Sequence, residues 1–189
     1  MARLIRGLPG KRILDVGCNG GMLARMLGSS YEYYGCDIAS HADRNLLPGR
    51  FLQIDLNGDC DFSFFRGRGI ELAHVGGVLE YLQQPARPLE GLRELLGSRG
   101  HLALSIINFQ GDRYSQPQSG HPGWIYRPSL VELRGELARS GWLPLKTIPL
   151  LGDGGLRDLL FVAARHALGP EHGWVRSQTR QFLLTARAG

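Results

Sequence analysis

Arg12–Gly21 reads RILDVGCNGG, and the fold turns on it. Ile13, Leu14 and Val16 form a short apolar run with β-branched members, the composition of a strand buried on both faces. Asp15 interrupts the run near its end, and Gly17, Cys18, Asn19, Gly20 and Gly21 follow. A helical pattern begins at once, with Met22, Leu23, Met26 and Leu27 spaced for one face. Strand, glycine turn and helix in succession bring backbone N–H groups close to a nucleotide.

The spacing is Asp15-x-Gly17-x-Asn19-x-Gly21, not the G-x-G-x-x-G of dinucleotide sites. A carboxylate at the strand end would repel a pyrophosphate and attract a ligand carrying an ammonium group. The pattern resembles motif I of the class I S-adenosylmethionine-dependent methyltransferases, D/E-x-G-x-G-x-G. Asn19 stands where that family has glycine; asparagine enters the left-handed region more readily than other side chains, so the turn survives. By itself the motif also fits a glycine turn in another α/β protein.

A chain of 189 residues holds one full α/β domain, and we read 1–189 as a single domain. Apolar residues make up 43% and charged residues 21%, as in a globular protein. No run approaches a membrane span, and Met1–Gly10 lacks the hydrophobic core of a signal peptide. Cys18, Cys36 and Cys60 show no C-x-x-C spacing, so we expect neither a disulfide framework nor a metal site, and a cytoplasmic location. The net charge of +5 comes from scattered arginines with no interleaved aromatics, which speaks against nucleic acid as the partner.

About ten residues precede the glycine motif, too few for a lid of two helices, so any cover over a substrate comes from later in the chain. Tyr31–Cys36 reads as the second strand, with Asp37 and Ile38 directly after it. An acid roughly twenty positions beyond the glycine turn is placed to accept both ribose hydroxyl protons, though it would also serve as a helix N-cap. Arg50–Ile54 is the third strand, ending at Asp55 and Leu56; Ile70–Gly76 is the fourth, followed by Gly77 and the segment VLEYL. Glycines at 76 and 77 leave room for a ligand against the backbone. Leu89, Leu92, Leu95 and Leu96 mark a crossover helix within Pro88–Leu96, and His101–Ile107 is the fifth strand.

Asn108–Arg127 is long, polar, glycine-rich and aromatic, the character of a functional loop. A helix follows over Pro128–Ser140, then Trp142–Leu150 and Gln181–Ala186 as the last two strands. Between them, 151–178 is read as a helical insertion, with Leu156, Leu159, Leu160 and Val162 forming a wide apolar surface. That surface fits core packing, a lid, a dimer contact or peripheral membrane docking.

The methyltransferase resemblance covers essentially the whole chain. Asp15, Asp37 and Asp55 at three successive strand ends, with the glycine turn, are its specific part. Val78–Leu82 resembles the family's vLEHL segment, with Tyr81 in place of the frequent histidine. His121, Trp124, Pro128, Gly141 and Trp142 resemble a segment of the ubiquinone-biosynthesis type O-methyltransferases. The resemblance implies a Rossmann-like, mostly parallel sheet of order 3-2-1-4-5-7-6 with strand seven antiparallel. It implies S-adenosylmethionine as cofactor and S-adenosylhomocysteine as its product. Asp15, Gly17, Cys18, Asn19, Gly21, Asp37, Ile38 and Gly76 would hold the cofactor, with Asp55 on the adenine amino group and Leu56 on the ring.

The chemistry implied is direct displacement at the sulfonium methyl carbon. An oxygen nucleophile calls for a base, for which His121 leads and Glu80 and Tyr126 follow. Neither an N/D-P-P-Y motif nor a Pro-Cys pair is present. The expected substrate is therefore a small metabolite or a glycan or lipid precursor, modified on oxygen. Two alternatives stay open: an RNA methyltransferase, and a protein acting through a protein partner. The latter rests on a likeness of the short N-terminus and Ser105–Phe109 to the methionine-biosynthesis MetW family. Homodimer formation is left open as well.

Overall fold

The computed structural model describes residues 1–39, 49–110, 123–150, 179 and 181–189. Its framework is one seven-stranded sheet: β1 (Arg12–Val16), β2 (Glu32–Asp37), β3 (Phe51–Gln53), β4 (Leu72–Gly76), β5 (His101–Ile107), β6 (Trp142–Leu150) and β7 (Gln181–Ala188). Among the described residues four α-helices accompany it: α1 (Ala2–Arg6), α2 (Met22–Leu27), α3 (Ala86–Leu96) and α4 (Leu130–Arg139). The strand order is β3-β2-β1-β4-β5-β7-β6, as the resemblance implied. Strands β1 to β5 run parallel, and β7 lies antiparallel to both β5 and β6. Pro144 and Pro149 sit in β6, where an edge strand tolerates residues that cannot donate to a ladder.

The apolar run of β1 is explained by its neighbours. It pairs with β2 on one side and β4 on the other, and both of its faces are covered. Leu14 and Val16 enter a core with Leu89 and Leu92 of α3, Leu133 and Leu137 of α4, and Trp142. Ile13 enters the opposite one with Ile5 of α1, Leu23 and Leu27 of α2, and Tyr33. Helix α2 buries only Leu23 and Leu27; Met22 and Met26, read as sharing their face, are 66% and 51% exposed. A six-residue helix presents one i, i+4 pair to the sheet and leaves the flanking positions in solvent.

The helix after the long loop starts later than its proline suggested. Ser129, not Pro128, is the N-cap: its hydroxyl accepts from the Glu132 N–H at 3.1 Å, and the Glu132 carboxylate accepts from the Ser129 N–H at 2.7 Å. This reciprocal cap satisfies two otherwise orphaned donors. Ser129→Ala is expected to lower stability by about 1 kcal/mol in urea denaturation. Trp142 is fully buried and donates its indole N–H to the Leu89 carbonyl at 2.9 Å. That bond joins β6 to α3, so Trp142 works in the core. The helical insertion read at 151–178 and most of the 108–127 loop, His121 included, lie outside the described residues. Among the described residues no helix is long and apolar enough to cross a membrane.

Candidate functional site

The turn after β1 is built from alternating left-handed residues: Gly17 at φ 74°, Asn19 at φ 43° and Gly21 at φ 68°. Asn19 is the sole non-glycine residue with positive φ among those described, and it holds the turn that its neighbours' glycines make cheap. The turn is tied to β2 at both ends. Gly17 and Cys18 donate their N–H groups to the Cys36 carbonyl at 2.8 and 3.1 Å, and Asn19 donates to Asp37 Oδ2 at 2.8 Å. Cys18 itself is buried, and burial beside Asp15 and Asp37 pushes its thiol up to about 12, so it stays a neutral packing group.

A cavity of about 480 Å³ opens at the C-terminal ends of the strands. Seven of the sequence-marked cofactor residues wall it: Gly17, Asn19, Asp37, Ile38, Asp55, Leu56 and Gly76. Cys36, Ala39, Ile54, Asn57, Gly77, Val78, Tyr81 and Leu82 complete the wall. The size is that of a small-molecule site. Asn57 braces two sides of it, donating from Nδ2 to the Tyr81 carbonyl at 3.1 Å and accepting the Gln83 N–H at 2.9 Å.

The wall suits a nucleoside. Asp37 already accepts Asn19 N–H on Oδ2 and Ala39 N–H, at 2.9 Å, on Oδ1. Each carboxylate oxygen keeps a second lone pair, enough for a vicinal diol. Ile54, Leu56, Val78 and Leu82 give the cavity apolar sides, and Ile38, 64% exposed, stands at its rim. A flat heteroaromatic base buries its faces against such sides. Asp55 turns Oδ1 to the Asn57 N–H at 2.9 Å, which shapes the bend after β3.

Three marked residues stand behind this wall. Gly21 is the N-cap of α2 and Cys18 is packed beneath the turn. Asp15, placed by its sequence position to attract an ammonium group, is only 2% exposed and already partnered. Its Oδ2 accepts the Tyr33 hydroxyl, and its Oδ1 lies 2.5 Å from His74 Nδ1. Neither Tyr33 nor His74 was singled out from the sequence. The signal was a histidine inside the otherwise apolar strand LAHVG.

The two described base candidates are both covered. Glu80 is 1% exposed; its Oε1 accepts the Ile107 N–H at 3.0 Å, and its Oε2 has no hydrogen-bond partner among the described residues. Its own carbonyl accepts the N–H groups of Ile125 and Tyr126, at 2.7 and 3.0 Å, pinning the end of the long loop beside the cavity. Burial raises the Glu80 carboxyl above its ordinary 4.5, so the folded chain binds that proton more tightly than the unfolded one. The stability tied to it is present below the unfolded value and is lost as pH rises through the folded value. Glu80→Gln is therefore expected to flatten the fall in stability above about pH 4.5, read from urea midpoints at several pH values. Tyr126 is half-buried, and desolvation lifts its phenol to about 12, far from a proton acceptor at neutral pH.

A family model described as a methyltransferase domain matches residues 2–146. The ubiquinone biosynthesis O-methyltransferase of Alkalilimnicola ehrlichii is 29% identical over 117 residues, covering 57% of this chain and 46% of that protein. The chain thus spans about half the length of this curated relative. Among solved structures, an S-adenosylmethionine dependent methyltransferase of Mesorhizobium loti has a TM-score of 0.66 at 16% identity, covering 99% of this chain and 98% of that one. The 1,6-didemethyltoxoflavin-N1-methyltransferase of Burkholderia thailandensis, with S-adenosylhomocysteine bound, has a TM-score of 0.63 at 16% identity, covering 99% and 74%. A Haloferax volcanii complex containing the Trm112 methyltransferase activator scores 0.70 at 16% identity, covering 98% and 87%. The family match takes in all of β1 to β5 and every described wall of the cavity. On that ground the chain belongs to the methyltransferase-domain family.

Proposed function

We propose that this chain methylates a hydroxyl oxygen of a small molecule, a metabolite or a glycan or lipid precursor. The observation that carries the reading is the cavity at the strand ends, with a diol acceptor at Asp37 and apolar sides between Ile54 and Leu82. The likeness to a ubiquinone biosynthesis O-methyltransferase supports oxygen as the acceptor atom. When bound, the cofactor supplies an electrophilic methyl carbon, whose bond to sulfur breaks with its electron pair left on sulfur. The chain's own part is to hold that group and position the acceptor in line.

Asp37 would hold the ribose, Ile38 and Leu56 would flank the base, and Gly76 and Gly77 would admit the amino-acid end against the backbone. Ile125 and Tyr126, fastened to the Glu80 carbonyl, bring the long loop to the acceptor side, where Trp124 packs edge-on against Phe109 at 5.4 Å. His121, the leading base in the reading of the sequence, lies outside the described residues. The test is transfer of labelled methyl from S-adenosylmethionine into separated pools of small molecules, lipids, RNA and protein. Label in the small-molecule or lipid pool supports the reading; label confined to RNA or protein overturns it.

A second reading, action through a protein partner, has one specific support. The edge strand β6 exposes Leu143 and Leu145 at 46% and 54%, and one solved neighbour is a complex with a methyltransferase activator. A stoichiometric partner recovered on the tagged chain, lost in Leu143→Asp, would favour it.

A further inference from the structure

The structure assigns the acceptor's proton to His74, oriented by Asp15 and Tyr33. This rests on the methyl-transfer reading and names the base that acts in it. His74, Asp15 and Tyr33 occupy three adjacent strands, β4, β1 and β2, and the register puts His74 directly beside Asp15. The Asp15 carboxylate is almost wholly removed from water. It is held between the Tyr33 hydroxyl on Oδ2 and His74 Nδ1, 2.5 Å away, on Oδ1. Tyr33 is the donor in its pair, since burial and the Asp15 charge both drive its phenol upward. A buried carboxylate so held fixes the histidine tautomer: Nδ1 carries the hydrogen and Nε2 keeps its lone pair.

Nε2 has no partner among the described residues, and the ring lies beside one wall of the cavity. A side chain at Gly76 would come within 2.8 Å of Nε2 and 2.5 Å of Cε1, so the imidazole lies against the Gly76 Cα. Gly76 is the last residue of β4 and a wall of the cavity. The histidine side chain is 12% exposed, against 3% for the Asp15 side chain behind it. A buried acid behind a histidine, with a third group fixing the acid, is the arrangement that makes imidazole an effective base.

The step balances without any further reactant. The acceptor's O–H bond breaks, its electron pair stays on the oxygen that bonds to the transferred methyl carbon, and the proton goes to Nε2. The imidazolium formed faces the Asp15 carboxylate, which stabilises it, and the proton then passes to solvent. His74 is the catalytic residue in this scheme; Asp15 and Tyr33 are positioning residues. Gly76 matters because any side chain there would push the ring away.

The test uses the full chain with ¹⁵N-labelled histidine, and S-adenosylhomocysteine as probe. The His74 signal is the one that moves in Tyr33→Phe, and it should show a protonated Nδ1 and an unprotonated Nε2. A His74 signal with the hydrogen on Nε2 overturns the proposal, whether or not any His74 variant folds. His74→Gln should bind S-adenosylhomocysteine within about threefold of the wild type, while labelled-methyl transfer into the pool the wild type modifies falls a hundredfold or more. Gly76→Ala should lower transfer as well, and shift the His74 signal. Equal transfer by His74→Gln and wild type overturns the base assignment and leaves the methyl-transfer reading standing. A wild-type chain that binds no S-adenosylhomocysteine overturns both.

Discussion

Gly17→Ala is expected to destabilise the chain by roughly 2–5 kcal/mol, from two separable causes. The residue sits at φ 74°, where a Cβ costs about 1–2 kcal/mol. The added methyl would also lie 2.3 Å from Val78 Cγ2, a contact that cannot stand. Valine is stiff about χ1 and this one packs against the core, so relief requires moving the segment after β4 or the turn itself, about 1–3 kcal/mol more. Urea denaturation followed by circular dichroism measures the sum. The double variant Gly17→Ala/Val78→Ala removes the collision but not the backbone strain, so it should regain part of the loss relative to Val78→Ala alone. A Gly17→Ala chain as stable as the wild type would mean that the turn is not locked to the 78–82 segment.

Asp37→Ala should weaken S-adenosylhomocysteine binding by on the order of 10- to 100-fold, about 1–3 kcal/mol. Two effects act together. A ribose diol would lose a charged acceptor, and the Asn19 N–H, now 2.8 Å from Oδ2, would lose the bond that holds the turn in place. Asp37→Asn keeps the shape and one acceptor oxygen, so its loss should be smaller. Calorimetry on variants shown to be folded separates binding from stability. Unchanged affinity in a folded Asp37→Ala chain would remove Asp37 from the cofactor assignment.

The regular part of this molecule is local in origin, and that is why it could be read in advance. The run Ile13, Leu14, Val16 demands cover on both faces whatever surrounds it, and alternating Gly17, Asn19 and Gly21 allow the turn that follows. Asp37 closes β2, and Asp55 lies two residues beyond β3, because a carboxylate terminates an apolar strand at water. Element edges shifted by one or two residues where caps decided them. Ser129 took the N-cap from the neighbourhood of Pro128 because its hydroxyl and Glu132 could close a reciprocal pair, which proline cannot do.

What the residues determined by themselves was the strand–turn–helix unit, the order of elements along the chain, and the acids near three strand ends. Tertiary structure decided what those acids do. Asp15 and Asp37 read alike as strand-end carboxylates, yet Asp37 lines the cavity and Asp15 is sealed beneath it. The difference lies in their neighbours: β4 brings His74 and β2 brings Tyr33 to the flanks of Asp15, from 59 and 18 residues away in the chain. Strand register sets such partners, and register is a property of the closed sheet that no single segment encodes.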